Sequence, residues 1–213
     1  MMKLLSLLAF LVATAGCNES ATSQKTSAQP EPVQVATSQG LEKAYFASGC
    51  FWCVEEVYES VMGVQEAVSG YAGGTVNNPS YRDHGDHAEA VEVQYNPNKV
   101  SFKTLVDVYF ASQNIEQKNG QGPDKGQSYR SIIFYQNSAQ KKIIDDKITA
   151  LTKKGYDVAA AVQSFQKFWV AEDYHQNYAK LHPNQGYIQG VSIPRFERFA
   201  AKMPQVIKQN SGH

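Results

Sequence analysis

Cys50 and Cys53 stand three residues apart in Gly49-Cys50-Phe51-Trp52-Cys53-Val54-Glu55-Glu56, and the chain of 213 residues has one further cysteine, Cys17. Such a C-x-x-C pair supports three chemistries. As a closed structural disulfide it staples a very short loop, which removes little entropy from the unfolded chain. As half of a zinc site it would combine with His84-x-x-His87 to give four ligands. As a dithiol it would cycle between open and closed forms. Cys50 falls where a strand hands over to a helix, and the first helical N–H groups sit at the positive end of the dipole. A thiolate placed there is stabilised, so its pKa falls. Cys53 lies on the same side of that helix, within disulfide range.

The elements around this pair follow from hydrophobic period and turn residues. Glu42–Ser48 reads as a strand running into Gly49. Val54, Val57, Tyr58 and Val61 recur at spacings of three and four, which predicts a helix from Cys50 to Val61 ended by Gly63. Val64–Tyr71 predicts a strand into the Gly73-Gly74 turn, followed by a polar loop. Ala88–Tyr95 alternates apolar and polar residues, the pattern of a half-buried strand. A helix is expected over Ser101–Ser112, then a long loop, a strand over Tyr129–Gln136 and a helix over Ser138–Lys154. The order strand, helix, strand, strand, helix, strand predicts an α+β fold, a mixed α/β roll on a ferredoxin-like (split βαβ) core.

Beyond the cysteines, ordered blocks are similar to A-type peptide methionine sulfoxide reductases. Gly49-Cys50-Phe51-Trp52 matches that family's signature, and Gly70-Tyr71-Ala72-Gly73-Gly74 resembles its GYxGG turn. Asn78-Pro79-Ser80-Tyr81-Arg82 is similar to NPTYxxV, and His87-Ala88-Glu89-Ala90-Val91 matches HAEAV. Gln121-Gly122-Pro123-Asp124 with Tyr129-Arg130-Ser131 resembles QGxDxGxQYRS, and Ala171-Glu172-Asp173-Tyr174-His175-Gln176 matches AEDYHQ. The resemblance covers about residues 42 to 190.

It implies reduction of the S epimer of methionine sulfoxide, in oxidised proteins or as the free amino acid. Electrons would come from thioredoxin or a thioredoxin-like dithiol, with no metal or bound cofactor. Cys50 would be the nucleophile that attacks the sulfoxide sulfur. Phe51 and Trp52 match the pocket for the S-methyl group. Glu89 matches the proton donor, a role that needs a pKa raised by burial among Ala88, Ala90 and Val91. Tyr81 and Tyr129 match phenols that bond the sulfoxide oxygen, while Asp124 and Tyr187 match further polar residues of the site. His175 and Asp173 match family positions of a structural kind.

The chain departs from many relatives at Gly186-Tyr187-Ile188, because no cysteine follows Cys53. Unless Cys17 reaches in, Cys53 must resolve the sulfenic acid left on Cys50. Two other departures are Gln113-Asn114-Ile115 where the family has HDP, and the short Asp83-His84-Gly85-Asp86 before His87. The competing readings are a thioredoxin-like disulfide oxidoreductase and a zinc-stabilised binding module.

The ends carry a separate message. Residues 1–17, MMKLLSLLAFLVATAGC, have one Lys, a short apolar run and small residues before Cys17. The run is shorter than the roughly 20 residues that span a bilayer. It reads as a secretory signal, and its ending resembles a bacterial lipoprotein signal in which Cys17 becomes lipidated, though Thr14 stands where Leu is usual. The expectation is export, to the periplasm or to a membrane anchor. Residues 18–40 lack aromatics, Leu and Ile and read as a flexible linker. One domain spans 41–203, and 204–213 read as a loose tail. Twenty acidic and twenty basic side chains give zero formal net charge, which speaks against nucleic-acid binding. A monomer is expected.

Overall fold

A mixed six-stranded sheet carries the site. The structure, a computed structural model, describes residues 29–36 and 38–209. Cys17 and the apolar N-terminal run lie outside the described residues. In chain order the elements are β1 (Glu42–Ala47), α1 (Phe51–Glu59), β2 (Val64–Ala72), β3 (Ala88–Tyr95) and α2 (Phe102–Ala111), then β4 (Gly120–Gln121), β5 (Asp124–Lys125), β6 (Ile132–Tyr135) and α3 (Ser138–Thr152). They continue with β7 (Ala161–Ser164), β8 (Phe168–Val170), α4 (Tyr178–Leu181) and α5 (Ile193–Lys202). The large sheet runs β7-β6-β1-β3-β2-β8, and β4 pairs only with β5. All neighbours in the large sheet are antiparallel except β6 and β7, which α3 connects.

β3 lies between β1 and β2, and this position changes its character. The alternation in AEAVEVQY predicts one wet face, yet seven of its eight residues are buried. Successive side chains point to opposite faces of a strand. Val91, Val93 and Tyr95 join the main core with Val54, Val57 and Tyr58 of α1 and Leu105 and Tyr109 of α2. Ala88 and Ala90 join a smaller cluster on the other face with Tyr45, Phe134 and Phe165. Glu89 therefore faces the α1 side of the sheet. Glu92, on the opposite face, accepts from Lys43 Nζ at 2.7 Å and from the Tyr45 hydroxyl at 2.8 Å.

Three expectations need correction. The linker does not hang free over 29–36. Val33 N–H donates to Phe165 O at 2.7 Å, Val35 N–H to Gln136 Oε1 at 2.9 Å, and Val35 packs on the smaller cluster. The tail is docked as far as Lys208, because Ile207 bridges to Val61 and Lys208 N–H donates to Ser60 O at 2.8 Å. Half-buried Val206 and Ile207 supply the apolar contact that holds it. Finally, the strand expected from Tyr129 starts at Ile132, since Gln127–Tyr129 form one 3₁₀ turn. Among the described residues no helix is long and apolar enough to cross a membrane.

Candidate active site

The junction between β1 and α1 is built to place one sulfur at the start of a helix. Gly49 has φ +83, and a Cβ there would stand 2.5 Å from Gln121 Cβ, so glycine is required for both backbone and space. Cys50 follows as the N-cap of α1, with φ −51 and ψ 124. Cys50 and Cys53 are free thiols, 8% and 2% exposed.

The first helical amide points elsewhere than at the nucleophile. Phe51 N–H donates to Glu89 Oε2 at 2.9 Å, which joins β3 to the start of α1. The Glu89 carboxyl is pushed up to about 8, chiefly by burial; Asp124 and Cys53 add to the rise, and the Phe51 N–H opposes it. Glu89 therefore holds its proton at neutral pH, as its proposed role requires.

The thiol chemistry differs from the sequence expectation. Cys50 is the N-cap of α1, and of the first-turn amides only the Trp52 N–H acts on its sulfur. Burial pushes its pKa well up, with the Cys53 sulfur and Glu89 adding to the rise and only the Trp52 N–H pulling it down. Cys53 is drawn down to about 7, first by the hydrogen bond from Cys50, against the effect of burial, with help from Arg195, Ser192 and Tyr187. The two shifts run in opposite directions, so Cys53 rather than Cys50 is the sulfur of the pair that ionises first. Burial outweighs the helix start at Cys50, and Glu89 takes the Phe51 amide.

An aromatic cup surrounds the sulfurs. Trp52 stacks on Tyr178 with ring centroids 3.8 Å apart and meets Tyr187 edge-on at 6.1 Å. Phe51 lies 6.3 Å from Trp52 and 6.5 Å from Tyr81, while its ring is 1% exposed and also reaches core Tyr71 at 5.9 Å. Tyr81 is the open side, 40% exposed. Burial, followed by the charge of Glu89, raises the phenols of Tyr81 and Tyr129, with Cys50 adding a smaller rise to each. Both remain hydrogen-bond donors.

On the Cys53 side, the Tyr187 hydroxyl donates to Asp124 Oδ2 at 2.5 Å and lies 3.9 Å from Cys53 Sγ. Asp124 thus reaches Cys53 only through the Tyr187 hydroxyl. The nine expected residues form one constellation with two wings, Glu89–Tyr81–Tyr129 and Cys53–Tyr187–Asp124, joined at Cys50.

Three further groups belong to the surroundings of the site. His175, expected to be structural, accepts from Trp52 Nε1 at Nδ1 (3.1 Å), so its proton lies on Nε2, and it packs 4.9 Å from Phe51 and 4.5 Å from Tyr81. Glu172 takes the Tyr71 hydroxyl at 3.1 Å and the Tyr81 N–H at 2.9 Å. Arg195 packs beside Ser48, 147 positions away in sequence. The AEDYHQ block pointed to the first two, and no local signal marks Arg195.

The zinc reading fails on His87. Its Nδ1 accepts from Gly74 N–H at 3.1 Å and its Nε2 then donates to Val76 O at 2.8 Å, so both nitrogens serve the backbone. His84 bonds Ser128 through Nε2 at 2.7 Å and stacks on Tyr71. No group of three or more His, Cys, Asp or Glu is placed to hold a metal among the described residues.

Comparison with known proteins identifies the family. The family model described as peptide methionine sulfoxide reductase matches residues 42–207. A peptide methionine sulfoxide reductase MsrA of Polynucleobacter asymbioticus is 41% identical over 174 residues, covering 78% of this chain and 92% of the relative. Among solved structures, reduced Mxr1 of Saccharomyces cerevisiae superposes with a TM-score of 0.63 at 29% identity, over 71% of this chain and 91% of that one. Methionine sulfoxide reductase A of Corynebacterium diphtheriae gives 0.62 at 28% identity, over 74% and 85%. With a family model matching residues 42–207 and relatives about 40% identical over most of their length, the chain belongs to the peptide methionine sulfoxide reductase family.

Proposed function

We propose that this protein reduces methionine S-sulfoxide, protein-bound or free, by attack of Cys50 on the sulfoxide sulfur. The observation that carries the reading is a buried carboxyl, Glu89, tied to the helix amide next to Cys50 and protonated up to about pH 8. A sulfoxide oxygen leaves sulfur only when it receives a proton, and Glu89 is the acid that supplies it. Tyr81 and Tyr129 donate hydrogen bonds to that oxygen, and Phe51 and Trp52 receive the S-methyl group.

The protons balance in a defined order. Cys50 passes its proton to Cys53 and attacks sulfur, while Glu89 protonates oxygen. Methionine leaves, and Cys50 holds a sulfenic acid. Cys53 then attacks Cys50 Sγ; its proton joins the departing hydroxide as water, and the S–S bond forms. Glu89 regains a proton from solvent. A thioredoxin-like dithiol reduces the disulfide and is itself oxidised.

Three further parts belong to this reading. The strand order β6-β1-β3-β2, joined by α1 and α2, supports a ferredoxin-like split βαβ core. Residues 1–17 act as a lipoprotein signal with Cys17 as the lipidated residue, so the domain works outside the cytoplasm as a monomer on a membrane tether. Its reductant is accordingly an extracytoplasmic thioredoxin-like protein.

The test is direct. The purified chain is supplied with dithiothreitol and each resolved epimer of methionine sulfoxide, and methionine is measured. Turnover of the S epimer alone, resistant to chelator and lost in Cys50→Ser, supports the reading. Reduction of insulin without sulfoxide turnover would replace it with a general disulfide oxidoreductase.

A further inference from the structure

Arg195 projects from α5 into the wall behind Cys53 and is 8% exposed. Its Nε donates to Ser112 O, its Nη1 to Ser48 O and its Nη2 to the Ser48 hydroxyl, each at 2.8 Å. All three acceptors are neutral, and Arg195 takes part in no ion pair among the described residues. An arginine guanidinium stays charged inside proteins. Burying one is costly unless it is both hydrogen-bonded and paired with opposite charge. The hydrogen bonds are present here, and the opposite charge is not supplied by a bonded carboxylate.

Cys53 is the group placed to supply it. Arg195 and Cys53 line one cavity of about 600 Å³, together with Gln113, Asp124, Tyr187 and Arg198. The guanidinium is fixed to the carbonyl of Ser48, the residue before Gly49, so it is locked to the turn that presents Cys50. The other charged or titratable groups facing Cys53 are Cys50 on its own helix, Glu89 from β3, and Tyr187 with Asp124. Ser192, which also approaches Cys53, gives its hydroxyl to Glu56 at 2.6 Å. Arg198 and Lys202 also line the cavity, and both are exposed. Of the cations, Arg195 is the buried one and the one that acts on Cys53.

We propose that Arg195 is a positioning residue for the resolving step: its buried, carboxylate-free guanidinium holds negative charge on Cys53 Sγ rather than on Cys50 Sγ. The inference rests on Cys53 being the resolving thiol. Arg195 exchanges no proton or electron. It sets which sulfur of the pair is the thiolate, and a thiolate is the species that attacks the sulfenic acid. The same charge makes Cys53 the better leaving group when the disulfide is reduced, which directs the incoming thiolate of the partner to Cys50. Substrate and reductant would then use the same sulfur in turn.

The experiment titrates Cys53 alone. In the full chain carrying Cys17→Ser and Cys50→Ser, thiolate absorbance at 240 nm is followed against pH, with and without Arg195→Met or Arg195→Lys. The expected result is a thiol titrating below the ordinary range of about 8.5, raised by one pH unit or more in Arg195→Met and by less in Arg195→Lys. An unchanged titration in Arg195→Met would overturn the proposal. If that variant does not fold, a Cys53 that titrates in the ordinary range with Arg195 present overturns it equally. In the chain with both cysteines, Arg195→Met slows formation of the Cys50–Cys53 disulfide about fivefold at pH 7, and raising the pH by a unit restores it. A slowing that no pH restores would assign Arg195 a packing role only. These readouts separate from the underlying reading, whose failure would appear in the unmodified protein as the absence of any Cys50–Cys53 disulfide.

Discussion

Phe51 N–H and Glu89 Oε2 are 2.9 Å apart, and this one bond fixes the acid of the site to the helix that carries the nucleophile. It settles which group receives the first amide of α1, while burial first and the Cys53 sulfur next push the Cys50 thiol up. Glu89→Gln keeps an acceptor for Phe51 and removes the proton. The expected loss in the rate of sulfoxide reduction is 10²–10⁴-fold, the usual worth of a positioned acid. The wild-type rate falls as pH rises through about 8, where Glu89 ionises, and Glu89→Gln lacks that limb. A pH–rate profile of both proteins checks the assignment; identical profiles would remove Glu89 from the mechanism.

Glu55 predicts a pH dependence of stability. It is 2% exposed and accepts from the Ser69 hydroxyl at 3.1 Å and from Asn177 N–H at 3.0 Å. Burial pushes its carboxyl from 4.5 up to about 7. A raised carboxyl stabilises the fold fully below about pH 4.5, and that stabilisation is lost as pH rises to about 7. The difference of about 2.5 units corresponds to a cost on the order of 3 kcal/mol. Glu55→Gln can donate to Ser69 and still accept from Asn177, so it melts higher than wild type at pH 8 and level with it near pH 4.5. Denaturant titrations across that window decide the matter, and an unaltered slope with pH in the variant would refute it.

His175 orients the pocket wall through its acceptor. Burial lowers its pKa, partly offset by Glu172, so the ring is neutral and Nδ1 is free to receive Trp52 Nε1–H. His175→Phe fills the space but leaves the indole N–H without its partner, a loss of about 1 kcal/mol. KM for the sulfoxide is expected to rise about fivefold with a smaller change in kcat. A fall in kcat at constant KM would instead place His175 in the chemical step.

Gly49→Ala tests the turn itself. The new Cβ would sit 2.5 Å from Gln121 Cβ in a backbone at φ +83. Strain and overpacking of this kind cost about 1–3 kcal/mol. Both the denaturation midpoint and the turnover rate should fall, because relief of the clash displaces Cys50. Unchanged stability would mean that Gln121 moves aside freely.

Much of this was legible in the chain, and the gaps have physical causes. Period and turn residues placed β1, α1, β2, β3, α2 and α3 close to where they stand, because each is long enough to show its pattern. β7 and β8 have four and three residues, too few for a period to emerge, and their pairing comes from neighbouring strands. The linker stretch over 29–36 looked free because its contacts are made by backbone and by distant partners such as Phe165, which local composition does not reveal. Within the site, Cys50, Cys53, Glu89 and the aromatic residues were readable from motif blocks. The protonation of the two sulfurs was not, since it depends on burial, on Glu89 taking an amide, and on Arg195 arriving from α5.

The most direct test of the account is the mass of the peptide spanning Cys50 and Cys53 after one equivalent of methionine S-sulfoxide, with no reductant present. The account predicts one methionine released per chain and loss of two hydrogens as a Cys50–Cys53 disulfide. A lasting sulfenic acid on Cys50, or a disulfide to Cys17 in its place, would contradict it.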